Sequence, residues 1–363
     1  MSYTPLASQS YNAELHADLF ASLFLNYPQF FKTTNFFDGV VNGQVIAIAG
    51  DTDDITGGDA CNTTETGTGN LVFESVTLNP YAYLVNKPNC WNDLKRDPLF
   101  LEKFSRTKPR DLVANPEFAD YVATFYKNGM VEDMLRYMYL GDTTAVIASS
   151  GGILRNGLSG NTVKYTRVDG FWKQIIDAGS AIARVTISEN ALTTAATQFS
   201  GLTGAEILAY LLDGLSKMDA RVYHSTERPM FILITDWMYR TLTNYYQTTA
   251  LTAGGLTGEL LNGIMQMRVN GVPLVPMPFW DRNIGTNTIT GDTVGPTSTD
   301  TGRYLPHRFI ITNDSTLIVG SSYDPMTPVF DLEYNPNTRA VNFVSQIQFD
   351  QKLGKKAFMV VGY

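Results

Sequence analysis

Asp51, Asp53, Asp54 and Asp59 place four carboxylates within nine residues, in the stretch DTDDITGGDACNTTETGTGN. Clustered acids among glycines and threonines are the raw material of a calcium loop, because hard cations take oxygen ligands. A twelve-residue calcium loop opening at Asp51 needs Gly at its sixth position and a bidentate Glu at its twelfth. Those positions hold Thr56 and Asn62. The stretch therefore reads as a solvated acidic tip, or as a charged arm built to touch another molecule.

Other chemistries fare no better. GTGNLV, from Gly67, lacks the third glycine of a dinucleotide loop, and GKK, from Gly354, lacks the hydroxyl and the upstream glycine of a phosphate loop. GLSGN around Ser159 lacks the last glycine of a nucleophile elbow. His16, His224 and His307 are far apart, so a zinc site or a Ser-His-Asp site would have to be assembled by folding. His224, in YHSTERP, reads as a hydrogen-bonded loop residue. Catalysis by paired carboxylates stays open, because such pairing is spatial, yet the acids concentrate where the chain looks extended. Cys61 and Cys90 lack metal-ligand spacing and read as free thiols of a reducing compartment. No catalytic, cofactor-binding or metal-binding residue is assigned, and no cofactor is expected.

Charge is unevenly spread. From Thr33 to Asn86 there is no Lys or Arg, while Asp38, Asp51, Asp53, Asp54, Asp59, Glu65 and Glu74 are all negative. The next segment reverses sign: Lys87, Lys95, Arg96, Lys103, Arg106, Lys108 and Arg110 outnumber Asp93, Asp97 and Glu102. A segment that cannot neutralise itself extends and seeks positive charge elsewhere. The formal net charge of −8 argues against a nucleic-acid-coating protein, since phosphate affinity comes from Lys and Arg. Charged residues make up only 17% of the 363, alongside 19 Tyr and 12 Met, a balance favoured where partners cover surface. A large core with Thr- and Asn-rich loops explains the same balance. The start, MSYTPLASQSYNAEL, has no basic and apolar leader pattern, and no apolar run is long enough to cross a bilayer. The expectation is a soluble, cytoplasmically made protein with no membrane contact.

The elements that must carry these residues follow from periodicity. Residues 11–31 read as a short amphipathic helix ended by Pro28. VVNGQVIAIAG and NLVFESVTLNPYAYLVN alternate as strands, which makes the acidic stretch the tip of a long hairpin. A long helix is predicted over 115–140, with Asn115 able to cap it, Pro116 and Glu117 in the first turn, and Gly141 as the stop. An α/β region follows. VDGFWKQIIDAG is helical, and TGAEILAYLLDGLSKM opens with Thr203 and Glu206 in capping-box spacing. PMFILIT is a buried strand running into the helix DWMYRTLTNYY. VNGVPLVPMP is a strand after an Asn-Gly turn, and its prolines suggest a sheet edge. Residues 281–303 are a second polar loop. At the end, RFIITNDSTLIVGSS reads as a tight hairpin. PVFDLEYNPNTRAVNFVSQIQFD reads as a longer one turning at Asn335-Pro336-Asn337, with Val341, Phe343, Ile347 and Phe349 on one face.

This order of an N-terminal arm, a long hairpin, a long helix, an α/β domain and returning strands resembles the major capsid protein of tailed bacteriophages, whose fold is named after phage Hong Kong 97. The best-matching stretches are VFESVTLNPYAYLVNKPNCWNDL, RPMFILITDWMYRTL through NGVPLVPMP, and HRFIITNDSTLIVGSSYDP. The resemblance implies an α+β fold. Residues 1–32 would be the N-arm and 33–86 an extended loop lying over a neighbouring subunit. Residues 87–141 would begin a peripheral domain with its spine helix at 115–140. Residues 142–304 would form an axial domain, and 305–363 would return to complete the peripheral sheet.

The function implied is structural, not enzymatic: self-assembly into an icosahedral virion shell enclosing double-stranded DNA, built in the host bacterial cytoplasm. Implied partners are other copies in hexamers and pentamers, a portal, scaffold or decoration proteins, and packaged DNA bound without sequence specificity. By charge complement, Asp51, Asp53, Asp54, Asp59 and Glu65 of one copy would face Lys87, Lys95, Arg96, Lys103 and Arg106 of another. The founding member's shell is cross-linked through a lysine of the extended loop. None lies between Lys32 and Lys87, so cohesion here is expected to be non-covalent. A nanocompartment shell of the same fold, an acidic hydrolase using paired carboxylates, and a surface adhesin remain as alternatives.

Overall fold

The computed structural model describes residues 33–37, 39–51, 59–60, 63–64, 72–90, 116–143, 165–225, 229–249, 256–261, 264–286, 303–322, 331–335 and 340–363. The expected helix at 11–31, most of the basic segment 87–110, and the polar stretch 287–302 lie outside them. Strands β1 (Asn35–Phe37), β2 (Gln44–Asp51), β3 (Asp59–Ala60), β4 (Thr63–Thr64), β5 (Val72–Leu78) and β6 (Tyr81–Cys90) precede helix α1 (Pro116–Leu140). Next come α2 (Phe171–Ala178), β7 (Ala183–Val185), α3 (Ala195–Gly201), α4 (Gly204–Ser216), α5 (Ala220–Tyr223), β8 (Phe231–Thr235) and α6 (Asp236–Thr249). The remainder is β9 (Leu256–Leu261), β10 (Ile264–Val269), β11 (Val272–Met277), α7 (Pro278–Thr286), β12 (Phe309–Thr312), β13 (Leu317–Ser322), β14 (Asp331–Asn335), β15 (Ala340–Leu353) and β16 (Val360–Gly362).

The run FILIT of β8 is buried at every position, as a strand covered on both faces must be. It lies at the centre of a seven-stranded sheet ordered β7-β16-β12-β8-β11-β10-β9. The period of two divides its side chains. Ile232 and Ile234 join one core with Leu211 and Leu215 of α4 and Met238 and Leu242 of α6. Phe231 and Leu233 join the other core with Met138 and Tyr139 of α1, Trp172 of α2 and Trp280 of α7. Helices therefore cover both faces. The Thr203 side chain accepts from the Glu206 amide, and the Glu206 carboxylate accepts from the Thr203 N–H, so the predicted capping box starts α4.

A second sheet runs β1-β13-β15-β14, with β6 along the other side of β15. Tyr83 of β6 stacks on Phe349 of β15 at 4.4 Å between ring centroids and leans on Tyr137 of α1 at 4.9 Å. A half-buried amide ties this sheet to α2: Gln174 Nε2 donates to the Gln351 carbonyl, and its Oε1 accepts from the Leu353 N–H.

Four expectations change. The tight hairpin over 308–322 does not form, because β12 pairs with β8 and β16 whereas β13 pairs with β1 and β15. Asn313 sits at the divergence: its Oδ1 accepts from the Ser315 N–H, the Ser315 hydroxyl and the Thr316 hydroxyl, which fixes the turn as the chain passes from one sheet into the other. Residues 305–363 are accordingly shared between the sheets, with β12 and β16 in the seven-stranded one and β13, β14 and β15 in the other. Strand β11 is internal and parallel to β8. Its ladder with β10 covers only Val272 and Pro273, which accommodates prolines without an edge position. The polar stretch from 281 begins as helix, since α7 runs to Thr286.

Candidate functional site

The hairpin is a two-stranded sheet separate from the two larger ones. β2 and β5 pair antiparallel from Gln44 opposite Leu78 out to Asp51 opposite Val72, with an irregularity between Ile48 and Asp51. At ~3.3 Å per residue the ribbon extends ~23 Å from Gln44 to Asp51. Alternation sets Val45 and Ala47, opposite Thr77 and Ser75, on one face, and all four are exposed. Val45 is 61% exposed and Val41, just before the ribbon, 71%. A two-stranded ribbon is marginal alone in water, so an uncovered valine face on one marks a surface that gains from a partner.

At its root the ribbon is held firmly. Val40 and Leu78 are fully buried with Ile318 in a small core flanked by Phe37, Ile46 and Val76. The Val40 N–H donates to the Ser321 carbonyl at 2.9 Å, and the Asn79 N–H to Asp350 Oδ2 at 2.8 Å. Burial raises the pKa of Asp350, and the amides of Asn79 and Gln351 with nearby Lys352 oppose that shift. The described ends of the segment 33–86 are thus anchored in the five-stranded sheet, through β1 and β6. These root residues escaped the sequence reading. A glycine inside the buried strand LIVGSS was the available signal, since interior strand glycines mark close approach of another group.

The charged residues expected to pair separate as follows. Asp51 closes β2, Asp59 pairs with Thr64 in the β3–β4 ribbon, and Lys87 sits in β6 opposite Phe343. Asp51 and Lys87 therefore stand on different sheets. Asp53, Asp54, Glu65, Lys95, Arg96, Lys103 and Arg106 lie outside the described residues, as does Cys61. Cys90 ends β6 opposite Ala340.

The described residues also hold one acid-lined cavity that bears on the hydrolase alternative. It measures ≈ 280 Å³ and is walled by Phe199, Trp237, Ile284 and Pro306, with Asp236, Arg240 and Asp281. Burial pushes the Asp281 carboxyl up to about 6, against hydrogen bonds from the Asp236 and Trp237 amides. Those bonds make Asp281 the N-terminal cap of α6, supplied from 45 residues away. Asp236 is engaged by Arg240 Nε at 2.7 Å. Both carboxylates are thereby committed to holding helices. His307, beside Trp237 and Phe199, donates its Nε2–H to the Gln198 carbonyl, and burial lowers it to about 4, so it is neutral at physiological pH. Among the described residues no group of three His, Cys, Asp or Glu could hold a metal ion, and no helix is long and apolar enough to cross a membrane.

No family model matches the sequence, and no curated protein matches it. The structure, however, is similar to a chain of the satellite phage P4 procapsid that includes the size determination (Sid) protein. That match has a TM-score of 0.56 at 11% identity and covers 100% of this chain and 92% of the other. A chain from Gordonia phage Cozz aligns with a TM-score of 0.49 at 10% identity, over 100% of this chain and 88% of that one. A chain from the capsid of cyanophage P-SCSP1u aligns with a TM-score of 0.47 at 13% identity, over 92% and 87%. Neither of these two carries weight at that level. With the two sheets, the long helix and the rooted hairpin, the whole-length procapsid match establishes that this chain has the α+β Hong Kong 97-type capsid fold.

Proposed function

We propose that the chain is a capsid shell subunit, a structural protein whose work is assembly with further copies of itself around a phage DNA genome. The observation that supports this best is the fold match to a phage procapsid chain over the full length of this one. The ribbon with its exposed Val45, and Val41 just before it, adds a surface suited to another copy. In this reading 1–32 is an arm and 33–86 the extended loop. The five-stranded sheet with α1 is the peripheral domain, and the seven-stranded sheet is the axial domain. Hexamers and pentamers are the expected units, a portal with scaffold or decoration proteins the expected company, and a bacterial cytoplasm the expected place of assembly.

Light scattering and negative-stain microscopy of the full chain test the reading. Capsomers or particles of megadalton mass are expected, and particles made in cells should protect double-stranded DNA from nuclease. A single small oligomer at every concentration and salt would overturn the shell reading. Closed particles without nucleic acid would favour a nanocompartment.

A further inference from the structure

The seat of the hairpin depends on one absent side chain. Gly320 lies in β13, opposite Asp350 of β15 and Phe37 of β1. A Cβ on it would stand 2.5 Å from Leu78 Cδ1 and 3.1 Å from Val40 Cγ2. Contacts that short do not persist, so something would have to move. The Leu78 tip is the mobile end of its side chain, but Leu78 is 0% and Val40 1% exposed, which leaves no solvent for it to swing into. Val40 and Leu78 sit at the root of the two arms and share with Ile318 a core separate from the two large ones.

The backbone around this plug is held by three hydrogen bonds, one between the two arms and two to the five-stranded sheet. Val40 N–H donates to Ser321 O at 2.9 Å, Gly43 N–H to Leu78 O at 3.0 Å, and Asn79 N–H to Asp350 Oδ2 at 2.8 Å. Gly39 and Gly43 bend the chain on either side of Val40, with φ of 70° and 81°. A ribbon on a slack tether would need neither a notch in β13 nor a plug to fill it. Glycine inside a strand weakens it, and close approach of another side chain is the physical reason to keep one there.

We propose that Gly320 is a positioning residue: its missing side chain forms the notch that receives Leu78 and Val40, and so sets the angle at which the hairpin is presented to a second copy of this chain. The functional half of this statement rests on the shell reading, whereas the mount itself is a property of the isolated chain.

A four-protein cycle tests it: the unmodified full chain, Gly320→Ala, Leu78→Ala and the double variant, compared by amide hydrogen exchange. Each single change should speed exchange across 72–82 at least ten-fold, with β8 and β12 unaltered. The double variant should exchange no faster than Leu78→Ala alone, because the added methyl then enters vacated space. Effects that multiply in the double variant, or a Gly320→Ala chain that exchanges like the parent, would overturn the mount. Should Gly320→Ala fail to fold, unchanged exchange at 72–82 in Leu78→Ala overturns it equally. In assembly, Leu78→Ala with an unshifted body melt should lower particle yield at least ten-fold, and normal yield would remove the link to presentation. Scattering of the unmodified chain judges the shell reading separately, so the two failures are distinguishable.

Discussion

Asp281 shows how one residue can be placed against its own ionisation. Its carboxylate caps α6 yet is buried enough to rise to about 6 from the ordinary carboxylate range. A folded-state pKa above the unfolded one means the folded chain holds that proton more tightly. The stabilising contribution is complete below about 4 and is lost as pH rises through about 6, amounting to 2–3 kcal/mol at most, on the order of 1.4 kcal/mol per pKa unit. His307 in the same cluster runs the opposite way: with its pKa lowered to about 4, it costs stability as pH falls from about 6.5 toward 4. The two slopes oppose each other in the parent chain, so a difference measurement is needed. Asp281→Asn keeps an oxygen to accept the α6 amides and cannot ionise. Its melting temperature should exceed the parent's by several degrees at pH 7.5 and converge with it near pH 3.5. A variant that melts lower by the same amount at both values would show that the charged cap is a net asset.

At the scale of elements, local chemistry was legible and pairing was not. FILIT, the Thr203–Glu206 box, the Asn270-Gly271 turn and the span of α1 were readable because each signal lies within one element. The root of the hairpin was hidden because Leu78 and Gly320 meet only in space, and the acid that caps α6 comes from a different helix. The segment NDST deceived for a related reason. A polar turn between two apolar strands looks the same whether the strands pair together or enter different sheets. Both strands here are almost wholly buried, so each must be paired on both sides, and the neighbours are distant in sequence. The crossing stands or falls on Asn313, which is 3% exposed and accepts three hydrogen bonds. Asn313→Ala strands those buried donors, at about 1–3 kcal/mol each if unrelieved. Its melting temperature should drop well beyond that of Thr203→Ala, where loss of an exposed cap costs about 1 kcal/mol. Equal drops would mean that Asn313 is no more than a local turn residue.

For the whole molecule, the question left by Asp51, Asp53 and Asp54 is where their countercharge lies. Within the chain, Asp51 ends β2 of the two-stranded ribbon and Lys87 lies in β6 of the five-stranded sheet; the pairing proposed for them is one between copies. Exposed ion pairs contribute only ~0–1 kcal/mol each. Cohesion must then come from covering apolar surface such as Val41 and Val45, at ~25 cal/mol per Å² less the ordering costs. Charge sets register and speeds encounter instead, and it is weakened by salt. Changing Asp51, Asp53 and Asp54 to Lys therefore separates folding from assembly. The melting temperature of the unassembled chain should move little, because a charge that acts between copies does not contribute to the folding of one copy. Particle formation should slow by an order of magnitude at low salt, and the gap to the parent should narrow as salt is raised. Particles that form at the parent's rate, with the parent's salt dependence, would remove the acidic stretch from the contact and leave the exposed valines of the ribbon to carry what one copy offers the next.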